Sequence, residues 1–159
     1  MNDFISLIRQ SIGHQKLIHP GARIIVENDN NEFLIVQRSD NGKFGIPAGS
    51  LEENETIEEC ILREVYEETG IRVKTLDVIG ISTNPELETV TYSNGDVVQY
   101  FTIEFYSNNW EGTISVKDQD EIRNARFVTA DLIESLPKNE KSAFESLHYF
   151  RKENRVMMK

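Results

Sequence analysis

Three glutamates, Glu64, Glu67 and Glu68, have the spacing in this chain that most clearly points to chemistry. In an α-helix, which turns about 100° per residue, they fall within one arc of roughly 100°. That arc adjoins an apolar stripe at i, i+4 spacing, a pattern typical of a helix face packed in a core. The stripe consists of Ile57, Ile61 and Val65. The three carboxylates are therefore predicted at the edge of the buried side of a helix.

Such a cluster is unfavourable unless something neutralises it. Like charges one helical turn apart repel by a few tenths of a kcal/mol, and partial burial removes hydration from the ionised carboxylates. A divalent cation would offset both effects, and Mg²⁺ prefers oxygen ligands. The residues alone leave two interpretations open: a metal-binding helix edge, or an acidic helix face exposed to solvent.

The helix that carries these glutamates is predicted from about Thr56 to Thr69. Thr56 and Glu59 have the spacing of a capping box at its start. Gly70 stands where a left-handed residue commonly ends a helix.

The remaining pattern is of strands on both sides of this helix, followed by helices. Asn28–Asn31 and Asn94-Gly95 are turn signals, which predict hairpins between the strands that flank them. Strands are predicted at residues 22–26, 33–36, 73–80, 87–92, 97–106, 113–116 and 125–129. Helices are predicted at residues 2–12, 130–136 and 139–153. This order favours a mixed sheet with helices packed on it.

Bulk properties narrow the class of protein. The 159 residues fit one domain, 1–159, and 38% hydrophobic residues suffice for a core. A net charge of −10 argues against extended nucleic-acid binding. No apolar run approaches the roughly 18 residues that span a membrane, and the start of the chain has no secretory signal pattern. We therefore expect a cytoplasmic location and no membrane association.

Residues 49–71 resemble the Nudix box, whose pattern is G-x5-E-x7-R-E-U-x-E-E-x-G-U with U aliphatic. Gly49, Glu55, the run from Arg63 to Glu68, and Gly70-Ile71 match every specified position. The segment Phe44–Gly49 before the box also resembles the family, although many members have Trp where this chain has Phe44 and Gly-Gly where it has Ala48-Gly49.

The resemblance implies an α+β fold, an α/β/α sandwich in which a mixed β-sheet is flanked by helices and a catalytic loop–helix–loop holds metal. It covers roughly residues 19–137. An N-terminal helical extension at 1–17 and a C-terminal helix at 138–159 lie outside it.

The resemblance also implies roles for individual residues. Arg63 and Glu55 should pair and orient the helix against its loop, and Gly70 is structural. The expected catalytic residues are Glu64, Glu67 and Arg63. The expected metal ligands are Gly49 through its carbonyl, Glu64, Glu67, Glu68 and Glu121. Asp118 and Asp120 compete with Glu121 for the last position, and a loop without a site role is also open.

The function that the resemblance implies is Mg²⁺-dependent hydrolysis of a pyrophosphate linkage in a nucleoside diphosphate derivative or an NTP, with Mn²⁺ as a possible substitute. A catalytically silent nucleotide-binding module is the alternative. ADP-ribose or nucleotide sugars on one side and (d)NTPs on the other remain open as substrates. Arg38 is either a phosphate contact or a surface charge, and Pro85 is a candidate substrate-binding residue. The expected partner is a small nucleotide, and a homodimer is possible.

Overall fold

The computed structural model describes residues 3–159. Its helices are α1 (Asp3–Ile12), α2 (Ile57–Thr69), α3 (Pro85–Glu88) and α4 (Lys138–Glu153), with a 3₁₀ turn at Ala130–Ser135. The strands before α3 are β1 (Leu17–Val26), β2 (Phe33–Arg38), β3 (Phe44–Gly45), β4 (Ala48–Ser50), β5 (Arg72–Val73) and β6 (Asp77–Ser82). The later strands are β7 (Thr89–Thr91), β8 (Val97–Ser107), β9 (Trp110–Glu111), β10 (Ile122–Val128) and β11 (Met157–Met158).

Three sheets contain the strands of residues 3–159, and the smallest pairs β5 with β9. The main sheet has the order β11-β6-β8-β1-β4, and β7 also pairs with β8. It is mixed, because β1 runs parallel to β8 over ten register pairs while β4 and β6 run antiparallel to their neighbours. The second sheet has the order β10-β2-β3.

Helices cover both faces of the main sheet. The buried residues Cys60, Ile61 and Val65 of α2 pack against Ile24 and Phe105. On the opposite face, α4 packs its Ala143 and Leu147 against a cluster that includes Ile25, Ile79 and Tyr106. Adjacent residues of β1 and β8 therefore point to opposite helices, as the two-residue period of a strand requires. This arrangement confirms the predicted α/β/α sandwich.

The predicted hairpin between the first two long strands is wrong. The chain does reverse through the Asn28–Glu32 turn, and a single bridge joins Glu27 to Phe33. Beyond that bridge, β1 pairs with β8 and β4, whereas β2 pairs with β10 and β3. Turn chemistry fixes a local reversal, but the sheet that each strand joins depends on partners far along the chain.

The strand predicted at 113–116 is also absent, because this segment completes α2 instead. The backbone N–H of Ser115 donates to the Thr69 carbonyl, and that of Lys117 donates to the Glu67 carbonyl. These bonds satisfy carbonyls in the last turn of α2, which a helix leaves unpaired.

The strand predicted at 73–80 is divided into β5 and β6, and the other differences lie at element ends. The N-terminal helix ends at Ile12, and residue 17 already belongs to β1, so the helical extension is shorter than 1–17. The C-terminal helix ends at Glu153 rather than 159, and Met157–Met158 adds an edge strand beside β6. Residues 87 and 88, predicted as the start of a strand, are helical.

The Asn94-Gly95 hairpin is confirmed, with β7 antiparallel to β8. Within residues 3–159, no helix is long and apolar enough to cross a membrane.

Candidate active site

The helix α2 is held at both ends by the residues that the sequence indicates. Thr56 caps the start, where its side chain accepts from the Glu59 N–H and the Glu59 carboxylate accepts from the Thr56 N–H. Gly70 ends the helix with a φ of 77°. A Cβ on Gly70 would lie 2.5 Å from the Ser115 carbonyl oxygen, so both the backbone angle and the space require glycine.

Arg63 joins α2 to the loop before it. Its Nε donates to Glu55 Oε1 at 2.7 Å and one Nη donates to Glu55 Oε2 at 3.1 Å, a two-pronged contact. The Ser50 carbonyl accepts a further bond at 3.3 Å. The pairing with Arg63 lowers the pKa of Glu55, mainly through the hydrogen bond. The expected Arg63–Glu55 pair is therefore present, and it ties the loop to the helix.

Gly49 of β4 lies directly against the carboxylate of Glu64. A Cβ at this position would come within 1.9 Å of Glu64 Cδ and Oε1. Any side chain at 49 would therefore displace the carboxylate. Apart from the glycine itself, no sequence pattern predicts this contact. The contact places the Gly49 backbone and the Glu64 carboxylate side by side, as a shared metal site would need.

Glu68 is the most deeply placed of the three glutamates, at 2% exposure. Its Oε2 accepts from the Ala48 N–H at 3.2 Å, while its Oε1 is buried with no hydrogen-bond partner in the part of the chain that the structure describes. Burial raises the pKa of Glu68 well above its usual range, with Arg38 acting in the opposite direction.

Glu64 and Glu67 lie on the same edge but are held by Arg63. One Nη of Arg63 donates to Glu64 Oε1 at 2.8 Å and to Glu67 Oε2 at 3.2 Å. Burial raises the pKa of Glu64 to about 7, and the charges of Glu67 and Glu121 add to the effect. The trio is thus at the margin of the buried side, as its spacing predicts.

These carboxylates are not arranged as a closed cage. Across residues 3–159, no three His, Cys, Asp or Glu side chains converge in a geometry that could hold an ion directly. The reason is visible in the hydrogen bonds: Arg63 engages Glu64 and Glu67, while Glu68 turns one oxygen towards Ala48. Metal binding would require the Glu64 and Glu67 side chains to change partners.

The donor set nevertheless fits a hard divalent cation. The unpartnered Oε1 of Glu68 and the carboxylate of Glu64, which lies against the Gly49 backbone, offer the oxygen ligands that Mg²⁺ prefers. Burial raises the pKa values of Glu64 and Glu68, because it removes hydration from the ionised carboxylates, and a bound cation would favour their ionised forms.

The loop before β10 brings Glu121 towards this edge. Glu121 is exposed, and its charge acts on Glu64 and Tyr92. Asp118 has a local role instead, since its side chain accepts from the N–H groups of Asp120 and Glu121 and shapes the turn. Asp120 is exposed beside Asp118. Of the three candidates, Glu121 is the one whose charge acts on Glu64 in the described part of the chain.

Arg38 lies at the end of β2, next to the buried carboxylates. Burial works against its charged form, but Glu68 and Glu140 outweigh burial and raise its pKa. Within the described residues, its side chain makes no hydrogen bond or ion pair. Arg38 is half-buried, so the interpretation as a plain surface charge is not favoured.

Pro85 has a local structural position. It is exposed at the first residue of α3, where a proline suits a helix start, and Asn84 caps the same helix. The short helix delivers Glu88, whose carboxylate binds Arg23 at 2.5 Å.

One residue near the site escaped the sequence reasoning. Glu140 of α4 is 7% exposed, and its Oε2 accepts from the Ile46 N–H at 3.1 Å. Glu140 shares a helix face with the core residues Ala143 and Leu147, at i, i+3 and i+7. A carboxylate on that apolar face is the sequence feature that could have identified it.

Comparison with known proteins assigns the family. A family model described as NUDIX domain matches residues 17–150. The chain belongs to the Nudix family. The Nudix match extends past the box on both sides and includes most of α4, which the resemblance in the sequence did not reach.

Individual Nudix relatives are similar over part or most of the chain. An ADP-ribose pyrophosphatase from Methanocaldococcus jannaschii is 36% identical over 74 residues, which are 43% of each protein. The nucleoside triphosphatase NudI of Enterobacter sp. is 27% identical over 120 residues, covering 73% of this chain and 85% of that one. The first three curated relatives are matched over only 26–43% of their own length.

Solved structures share the fold. The crystal structure of a MutT protein from Methanosarcina mazei Go1 is 25% identical, with a TM-score of 0.67 over 89% of this chain and 98% of that one. A MutT NUDIX hydrolase from Burkholderia pseudomallei gives the same TM-score at 19% identity, with 82% and 98% covered.

Proposed function

We propose that this Nudix chain hydrolyses the pyrophosphate linkage of a small nucleoside diphosphate derivative, with Mg²⁺ or Mn²⁺ held along the edge of α2. The observation that carries the proposal is the buried Oε1 of Glu68, which has no partner among residues 3–159. A buried carboxylate oxygen without a hydrogen bond is strongly unfavourable, so its retention beside Glu64 and Gly49 favours a cation that binds there.

The ion would be held by Glu68, Glu64, Glu67 and the Gly49 carbonyl, with Glu121 as the additional ligand. When bound, it would neutralise the negative charge of the diphosphate and acidify water. Arg63 has a supporting role: its contacts with Glu55 fix the loop against the helix, and its contacts with Glu64 and Glu67 keep those side chains near the edge.

Arg38 is proposed to bind a substrate phosphate. Its guanidinium is half-buried next to Glu68 and has no partner among the described side chains, so its donors are available to an anion. The planar fork of arginine suits two oxygens of one phosphate. The role of Pro85 in substrate binding stays a prediction.

Two substrate classes are to be tested. The names of the relatives include an ADP-ribose pyrophosphatase and a nucleoside triphosphatase, which represent the two classes expected from the sequence. We infer a small-molecule nucleotide partner, a cytoplasmic location and a possible homodimer. The net charge of −10 supports the first of these, because a long nucleic acid would be repelled.

A substrate screen tests the proposal. The chain is incubated with ADP-ribose, nucleotide sugars, dinucleotide polyphosphates, CDP-alcohols, NTPs and oxidised dNTPs, with Mg²⁺ or with chelator, and products are identified by ³¹P NMR. We expect a nucleoside monophosphate from at least one substrate, only with metal. The Glu67→Gln variant should lose activity by orders of magnitude. Nucleotide binding without product from any substrate would instead establish the silent binding module.

A further inference from the structure

Glu140 is a buried carboxylate that the proposed chemistry does not use. It is the third residue of α4, on the face that packs Ala143 and Leu147 into the core. A charged side chain at such a position requires polar partners, because burial without them is strongly unfavourable.

The contacts of Glu140 lead to the segment just before Gly49. Three hydrogen bonds hold residues 46–48: Glu140 accepts from Ile46 N–H at 3.1 Å, Glu68 accepts from Ala48 N–H at 3.2 Å, and the Pro47 carbonyl accepts from Ile24 N–H at 3.0 Å. The segment is therefore fixed from α4, α2 and β1 together. The contact from α4 is the one that lies outside the Nudix box and the main sheet.

Gly45 permits the approach of Glu140. A Cβ at Gly45 would lie 3.1 Å from Glu140 Oε1 and 3.3 Å from its Cδ, which is tighter than an ordinary contact. Because Glu140 is buried, its carboxylate has little room to retreat. The absence of a side chain at position 45 thus lets the carboxylate reach the Ile46 N–H.

A need to neutralise the charge of Arg23 does not explain why a carboxylate is buried at Glu140. Arg23 already binds Glu88 at 2.5 Å and Glu104 at 2.7 Å, so its charge is matched by two other carboxylates. The Glu140 side chain instead accepts a hydrogen bond from the backbone N–H of Ile46. Its position is therefore better explained by the segment that it holds.

We propose that Glu140 is a positioning residue that fixes residues 46–48 and so keeps the backbone of Gly49, with its carbonyl, in place against the Glu64 carboxylate. This inference rests on the proposed function, in which that carbonyl is a metal ligand. Glu140 itself contacts neither metal nor substrate in this role. It acts through the backbone, in the way that outer groups orient the ligands of metal sites.

The test compares Glu140→Ala with Glu140→Gln, which keeps an oxygen able to accept from the Ile46 N–H. Glu145→Ala, an exposed position on the same helix, is the matched control. In metal-free protein, hydrogen exchange at the Ile46 amide should accelerate in Glu140→Ala, relative to the Cys60 amide inside α2. Mg²⁺ affinity, measured by calorimetry, should fall by about tenfold. Glu140→Gln should show the smaller change in both readouts, and Glu145→Ala none.

The outcomes separate positioning from mere stability. Faster exchange at Ile46 with unchanged Mg²⁺ affinity would overturn the proposal, as would equal effects of Glu140→Ala and Glu145→Ala. If Glu140→Ala does not fold, Gly45→Ala provides the second test: it keeps the charge but displaces the carboxylate, and it should also weaken Mg²⁺ binding. Unaltered binding in folded Gly45→Ala would then overturn the proposal. Wild-type hydrolysis in the substrate screen is unaffected by these results, so this proposal can fail while the proposed function stands.

Discussion

At the scale of single residues, the glutamates of α2 differ in environment although they lie within one helical turn. Glu68 is almost fully buried, the Glu64 side chain is 13% exposed, and the Glu67 side chain is 44% exposed. Helical geometry applied to the sequence predicted this edge position, because the angle between side chains depends only on their spacing. It could not predict that Arg63 would hold both Glu64 and Glu67, since that depends on side-chain rotamers.

Glu121 gives a prediction at this scale. Glu121→Gln removes one charge from the group that faces Glu64, and we expect the Mg²⁺ concentration for half-maximal activity to rise by about tenfold. Asp120→Asn is the matched control, because it removes the same charge from the same exposed loop. Metal titrations of hydrolysis measure both. A larger shift in Asp120→Asn would transfer the role to Asp120, and no shift in either would remove this loop from the site.

At the scale of elements, α2 is the best specified part of the chain. Its cap, its apolar face and its terminal glycine are all local features, and the structure has each of them as predicted. The segment at 113–116 makes a contact that local sequence patterns do not predict. Its sequence resembles a strand, but its N–H groups bind the last turn of α2, and no pattern within the segment encodes that distant partner.

The capping box gives a prediction for α2. Thr56→Ala removes the acceptor for the Glu59 N–H and should lower the free energy of unfolding by about 1 kcal/mol. Thr113→Ala, at an exposed position outside the helix, should change it by less than about 0.5 kcal/mol. Urea denaturation measures both variants. Equal stability of the two would show that the cap contributes nothing measurable.

At the scale of the whole molecule, a buried ionic cluster joins elements far apart in sequence. Glu104 of β8 accepts from Arg23 of β1 at 2.7 Å and from Lys159 at 3.0 Å, while its other oxygen accepts from Ser146 of α4. No sequence pattern relates Arg23 to Glu104, because they are 81 residues apart and meet only through the parallel β1–β8 register. The sequence does not predict the C-terminal strand β11 for the same reason. Its two residues form a strand only because they pair with β6, which is distant along the chain.

The cluster predicts a pH-dependent stability difference. Burial opposes ionisation of Glu104, but Arg23 and Lys159 outweigh it and lower its pKa below 4.5. A lowered pKa stabilises the fold above the unfolded value, and that contribution is lost as the pH falls through the folded value. Glu104→Gln should therefore destabilise the chain by about 3 kcal/mol at pH 7, with the gap to wild type narrowing in acid.

Chemical denaturation at several pH values measures this gap. Glu111→Gln is the control, because Glu111 pairs with Lys74 at the exposed surface and should contribute less than about 1 kcal/mol at any pH. A gap for Glu104→Gln that stays constant from pH 7 to pH 3 would contradict the assigned role of its charge.

The central claim is that the acidic edge of α2 binds a divalent cation, and Mg²⁺ calorimetry tests it most directly. Wild-type protein, Glu68→Gln and the exposed same-helix control Glu58→Gln are titrated under identical conditions. We predict saturable binding to wild type and to Glu58→Gln, with affinity at least about tenfold weaker in folded Glu68→Gln. Identical isotherms for all three proteins, or no binding to wild type with a nucleotide present, would contradict the account.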